Sequence, residues 1–258
     1  MFAGDLGLRR GQDPIHDTRV ASRRLRSTLK VFDKLLNADA VGDIDTELKW
    51  FAGLLGEVRD CQVQRKRFHT ALAELPPELV LGPVVGRIDS DLTSTQVRAR
   101  KIVAEAMNSS RYLDLLATLQ RWRTDLPVTG QLAAKAVRRR AARAESKADR
   151  RLLAATGTGD GADLHRARKA AKRARYAAEM IKPLDDDGRA KRTVKRYKKI
   201  QTVLGDHQDS VVAAATLRRL GSLAGVAPDE NGFTFGVLYA NEQQAADRAR
   251  SAAAALGP

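Results

Sequence analysis

Apolar residues recur every three to four positions along most of the chain and strict alternation is essentially absent, so the pattern predicts an almost wholly α-helical protein. The first confident helix starts at Asp13-Pro14, with Asp as N-cap and Pro at the first helical position, and runs to about residue 37. Residues 1–13, with three glycines and little periodicity, read as an N-terminal extension. Further helices are expected over about 39–75, ending before Pro76-Pro77, then 78–107 and 110–124, the last closing before Pro127. A very basic helix over 131–155 leads into the glycine-rich TGTGDGAD turn, whose Asp163 is placed to cap a helix over 164–182. Pro183 and DDDG close that helix, and the last two cover about 188–220 and 233–255, joined by the loop GVAPDENG.

At 100° per residue, His16, Arg19, Arg23, Arg26 and Lys30 share a narrow stripe, while Leu25, Leu29, Phe32 and Leu36 gather opposite. The same geometry returns at His165, Arg168, Lys172 and Arg175, with Ala171, Ala174, Ala178 and Ile181 behind them. A second motif recurs in register: LGEVRD at 55–60 matches LGDHQD at 204–209. His16 lies 44 residues before Asp60 and His165 lies 44 before Asp209, so one offset of 149 aligns both motifs. This period is too long for a solenoid unit and reads as a duplicated half, about 14–125 and 131–258, within one domain of pseudo-two-fold symmetry. Under the offset, the basic helix at 131–155 maps before residue 7, where the chain has nothing comparable, so the N-terminus reads as shortened.

Composition sharpens this picture through charge. With 258 residues, 43% hydrophobic and 30% charged, the chain is globular, and its net charge is +15. Residues 1–129 hold 20 Lys+Arg against 17 Asp+Glu, and residues 130–258 hold 26 against 14. Such an excess points to a polyanionic partner. The single Cys61 excludes an internal disulfide and fits a reducing cytoplasm. No apolar run approaches the roughly 20 residues that span a bilayer, so no membrane insertion is expected.

A solvated helix face normally mixes charges, whereas these rails are nearly all positive and cost about 0.2–0.5 kcal/mol of repulsion per close pair. A bound anion would compensate. The repeated histidines, His16 and His165, head the rails and are expected to contact it. His207 aligns with Val58 on an apolar stripe and reads as a core residue, and His69 has no counterpart. In the second helix Lys49, Gly56, Asp60 and Arg67 share a face opposite Phe51, Leu54, Val58 and Cys61. In its copy Lys191, Lys195, Lys198, Gly205 and Asp209 form the polar face, the glycine allowing a close approach. Asp60 and Asp209 either offset local repulsion or orient cationic neighbours.

Catalysis has no visible home. His16-Asp17 hints at a metal-dependent phosphohydrolase, but four histidines do not supply the further ligands that chemistry needs. The chain shows no P-loop, G-x-G-x-x-G, zinc spacing or nucleophile elbow. Aromatics are only 5% and do not interleave with the basic runs as a base-stacking platform requires.

The paired motifs, HxxRVxxRRLRSxLxxF with LGExRD and LHRARKAAKRARYAAE with LGDHQD, resemble the CHAD family, the α-helical histidine domain, over about residues 14–255. The resemblance implies an all-α fold of two helical bundles related by a pseudo-two-fold axis, with a basic central groove or pore that binds inorganic polyphosphate. Carried over by position, it implicates His16, Arg19, Arg23, Arg24, Arg26, Arg59 and Asp60, and then His165, Arg168, Lys169, Lys172, Arg173, Arg175, Tyr176 and Asp209. Lys49 and Lys198, equivalent under the offset, join them, and Lys30, Lys191 and Lys195 extend the cationic faces. Gln208 replaces the charge of Arg59, which breaks the symmetry. The ExExK signature of the triphosphate-tunnel enzymes often joined to such domains is absent. The expectation is a non-catalytic polyphosphate-binding module without metal or cofactor, cytoplasmic and associated with polyphosphate granules. The alternatives are a nucleic-acid-binding helical protein using phosphate-backbone contacts and, third, a phosphohydrolase.

Overall fold

The computed structural model describes residues 1–185 and 187–256, and among them there are helices and connecting turns but no β-strand. In chain order the α-helices are α1 (Phe2–Arg9), α2 (Ile15–Val31), α3 (Ala38–Val41), α4 (Ile44–Ala73) and α5 (Val84–Met107). They continue with α6 (Ser110–Arg121), α7 (Ala134–Thr158), α8 (Gly161–Ile181), α9 (Arg189–Ala224) and α10 (Phe233–Ala254). The offset of 149 carries over to the element bounds: Phe233 of α10 lies 149 residues after Val84 of α5, and the short 3-10 turn Lys182–Leu184 lies 149 after Asp33–Leu35.

The differences from the sequence expectation concern helix ends. The stretch 1–13 contains α1, whose low periodicity reflects glycines used for close packing. Gly4 and Gly7 are buried, and a Cβ on Gly4 would stand 1.9 Å from Thr18 Oγ1. The end of α1 at Arg9 lies 149 residues before the end of α7 at Thr158, so this helix takes the place of the last turns of α7. Asp13 does not cap α2: Pro14 holds the N-cap position without a side-chain cap, and Asp13 accepts from Arg100 Nη2 at 2.8 Å instead. Likewise α7 and α8 nearly meet, with Gly159 at positive φ between them. Asp160, not Asp163, accepts the Asp163 backbone N–H there, and Asp163 sits inside the helix paired with Arg166. The helix expected from 39 is interrupted at Gly42, φ 46°, after the single turn α3, whose first N–H groups donate to the Asn37 side chain. Gly82, φ 77°, and Pro83 delay α5 to Val84.

Two compact units emerge, and each draws on both sequence halves. Unit 1 comprises residues 1–59, 97–150 and 169–198, and unit 2 comprises 60–96, 151–168 and 199–258. In unit 1, Ile15 and Leu29 of α2 pack with Leu48, Phe51, Leu55 and Val58 of α4, Val103 of α5 and Tyr112 and Leu115 of α6. A second cluster joins Val31 and Phe32 to Ala141 of α7 and Ala177 of α8. In unit 2 the core is Phe68 and Leu72, Ile88 and Leu92, Leu217 and Leu220, Phe235 and Leu238. Unit 2 also buries an ion pair, in which Arg67 donates Nε and Nη2 to the Glu242 carboxylate at 2.6 Å each and Nη2 to Ser210 Oγ at 2.7 Å.

Candidate functional site

The apolar stripe of α2 is fixed by burial of Ile15, Leu29 and Val31, and α8 is fixed by Ala170, Ala171, Ala174, Ala177 and Ala178. Small residues on the buried side of α8 let its neighbours approach closely, while the cations on its other side stay near solvent. Within unit 1 this brings the two rails together. A cavity of about 450 Å³ is lined by Arg23, Arg26 and Lys30 of α2, Lys49 of α4, and Lys169, Lys172 and Arg173 of α8. Arg23 and Lys172 occupy equivalent positions in the two copies and line the same space. A larger cavity of about 530 Å³ in the same unit holds Arg138, Arg139 and Arg189 against Glu145, Asp185 and Asp187, so its charges balance and it offers a polyanion less.

A carboxylate that sequence reading did not select stands among these cations. Asp45 accepts from Arg26 Nε at 2.9 Å and Nη2 at 3.3 Å, and lies 3.1 Å from Lys30 Nζ. Burial by itself would raise its pKa, but the hydrogen bonds and charges of Arg26 and Lys30 outweigh it and hold the carboxyl below its ordinary value. The guanidinium of Arg173 is pushed the other way for a cation, downwards, first by burial and then by the charge of Arg26.

Arg24 and Arg175 belong to a neighbouring cluster. Arg24 pairs with Glu179, Arg175 Nε lies 3.4 Å from the same carboxylate, and both guanidiniums sit over the Tyr176 ring, at 5.4 and 4.7 Å from its centroid. Tyr176 is 5% exposed, so its ring supports these arginines from below and does not open onto the cavity surface.

Both motif glycines turn out to seat a rail arginine. A Cβ on Gly56 would stand 3.1 Å from Arg19 Nη2 in unit 1, and one on Gly205 would stand 3.4 Å from Arg168 Nη2 in unit 2. The close approach expected at the glycine is thus made by the protein's own guanidinium. In unit 2, Arg168 Nη1 also lies 3.7 Å from Asp209, and His165 Nδ1 lies 3.0 Å from Gln208 Oε1, the residue that replaces the charge of Arg59. Burial raises the Asp209 pKa, against the opposing pull of Arg168 and Arg67. Asp60 is exposed in unit 2. In unit 1, His16, Lys191, Lys195 and Lys198 are exposed and Arg59 is half-buried, and none of them lines the 450 Å³ cavity.

His207 is 5% exposed, in agreement with a core role, and burial followed by the charge of Arg250 pushes its imidazole pKa down. His69 pairs with Asp89 at 2.8 Å on the surface of unit 2. Among the described residues no group of three or more His, Cys, Asp or Glu side chains is arranged to hold a metal ion, and no helix is long and apolar enough to cross a membrane.

Residues 1–218 match the CHAD domain. The chain belongs to the CHAD domain family. Two uncharacterized proteins of Mycobacterium tuberculosis, from two strains, are each 34% identical over 249 residues, covering 92% of this CHAD chain and 46% of their own length. The chain therefore spans about half the length of the curated relatives it matches. Among solved structures, PptA from Streptomyces chartreusis superposes with a TM-score of 0.80 at 25% identity, covering 99% of this chain and 93% of that one. The CHAD domain from the plant Ricinus communis superposes with a TM-score of 0.73 at 26% identity, covering 98% and 86%.

Proposed function

We propose that this CHAD domain binds inorganic polyphosphate without catalysing its turnover, and that binding carries the protein to polyphosphate granules in the cytoplasm. The observation that supports the reading is the unit 1 cavity, in which seven Lys and Arg side chains from three helices converge on one space against Asp45. Polyphosphate offers closely spaced charge with no bases to read, which suits guanidinium forks and ammonium point charges and needs no aromatic platform. The cavity lining contains no aromatic side chain.

The deciding experiment is competition at physiological ionic strength, with labelled long-chain polyphosphate displaced by duplex DNA, single-stranded RNA or unlabelled polyphosphate at matched phosphate concentration. Polyphosphate is expected to displace far better than either nucleic acid, with an affinity that falls as salt rises through counterion release. Equal displacement by nucleic acid would replace the reading with general polyanion binding.

A further inference from the structure

Helix α7 stands out by charge in the sequence, yet the site described above uses none of its residues. In unit 1 a second cavity, about 220 Å³, is lined from α7 by Arg140, Arg143 and Lys147. Lys30 and Arg173 line this cavity and the 450 Å³ cavity as well, so the two share a wall of two cations.

The α7 cations are not equivalent. Arg140 is committed within the protein: it donates Nε to the Val31 carbonyl at 3.1 Å and pairs with Asp33, a carboxylate that lines the same cavity. Arg143 and Lys147 are exposed, four residues apart on one helix face, and neither makes an ion pair among the described residues. At i,i+4 two like charges oppose each other across one turn, about 6 Å along the axis. Nothing intramolecular in the cavity relieves that repulsion, since Asp33 is taken by Arg140. Arg173, half-buried at the shared wall, already feels too much positive charge around it.

We propose that the α7 cavity is a second phosphate subsite, which receives the stretch of a polyphosphate chain that leaves the first cavity past Lys30 and Arg173. The inference rests on the polyphosphate reading and adds a path to it: Arg143 and Lys147 contact phosphates that a ligand confined to the first cavity never reaches. The subsite makes affinity depend on chain length within unit 1 alone, because the second contact is intramolecular once the first is made.

The test is calorimetric titration of the full chain with tripolyphosphate and with long-chain polyphosphate across a salt series, comparing wild type, an Arg143→Gln, Lys147→Gln double variant and a Lys135→Gln, Arg150→Gln control. The control removes the same charge from exposed α7 positions outside the cavity. All four positions are exposed, and circular dichroism checks that each variant stays folded. For the α7 double variant, long-chain affinity is expected to fall roughly ten- to thirtyfold, with the salt slope shallower by about 1.4 and tripolyphosphate binding unchanged. Long-chain binding like wild type, an equal loss for tripolyphosphate, or an equal loss in the control would each overturn the subsite. In those cases wild-type binding still supports the first cavity, whereas a wild type that binds no polyphosphate overturns both.

Discussion

Asp45→Asn separates what stabilises the fold from what binds the ligand, because the two effects have opposite signs. The carboxylate lies about 3 Å from two cations, and unscreened by anything but an effective dielectric of 20–80 each contact would be worth about 1.4–5.5 kcal/mol. All three side chains are partly exposed, at 22% for Arg26, 31% for Asp45 and 40% for Lys30, so the net value of each pair drops to about 0.2–1 kcal/mol. The amide still accepts one hydrogen bond, and the variant is expected to lose about 1 kcal/mol, or about 2–4 °C in Tm. The same change removes a negative charge from the cavity and releases Arg26 and Lys30. At about 1 kcal/mol for each cation that gains a phosphate, polyphosphate should bind roughly 5- to 30-fold more tightly, with a steeper salt dependence. The pH behaviour follows from the depressed pKa. The stabilisation by Asp45 is fully present above its ordinary value of 3.8 and is lost as pH falls through its lower folded value, a dependence the asparagine variant lacks. Thermal melts and calorimetric titration of both proteins provide the check. Weaker binding alongside the lower Tm would refute the argument and make Asp45 an organiser of the site.

Three further outcomes follow from packing and burial. Gly4→Val places side-chain carbon against Thr18, where even a Cβ would be 1.9 Å from Oγ1, and should cost about 1–3 kcal/mol in chemical denaturation, partly recovered by Thr18→Ala; an unchanged midpoint would mean that α1 does not dock. Breaking one side of the buried pair with Arg67→Met or Glu242→Gln should cost about 3–5 kcal/mol, and the Arg67→Met, Glu242→Leu double variant should cost less than the sum in a double-mutant cycle. For His207 the folded pKa is lowered, so between that value and about 6.5 the unfolded chain binds more protons than the folded one. Stability is therefore complete above about pH 6.5 and declines as pH drops below it, and His207→Leu should flatten this part of the stability profile.

The rails were legible because like charges at helical spacing opposite a stripe of Leu or Ala leave few alternatives, and the exact offset between copies marked Arg23 and Lys172 as equivalent before the structure placed both on one cavity. His207 was legible for the same reason, through its register with Val58. Linear pattern could not pair Asp45 with Arg26, 19 residues earlier, since Asp45 reads only as an acid in the first turn of a helix. Arg67 and Glu242 are separated by 175 residues, and no local signal joins them. Helix α1 escaped because Gly4 and Gly7 carry no hydrophobicity, although they are the residues that let it pack. The signal that could have revealed the cavity on α7 was present in the run of cations from Arg138 to Lys147, but α7 has no full counterpart in the first half, so the repeat gave no reason to assign it to the site.

The interleaving of the two units also governs how the chain can acquire its structure during synthesis. Unit 1 is started by residues 1–59 but is not complete until Lys198 has emerged, and unit 2 waits for the segment that begins at Lys199. At about 5–20 residues per second, the 139 residues between Arg59 and Lys198 take the ribosome roughly 7–28 s. Throughout that interval Leu48, Phe51 and Leu55 are present without Lys169–Lys198, the last segment of their unit. Severing the chain between its sequence halves would leave neither fragment with all the pieces of either unit, so the halves could be productive only as partners that fold together.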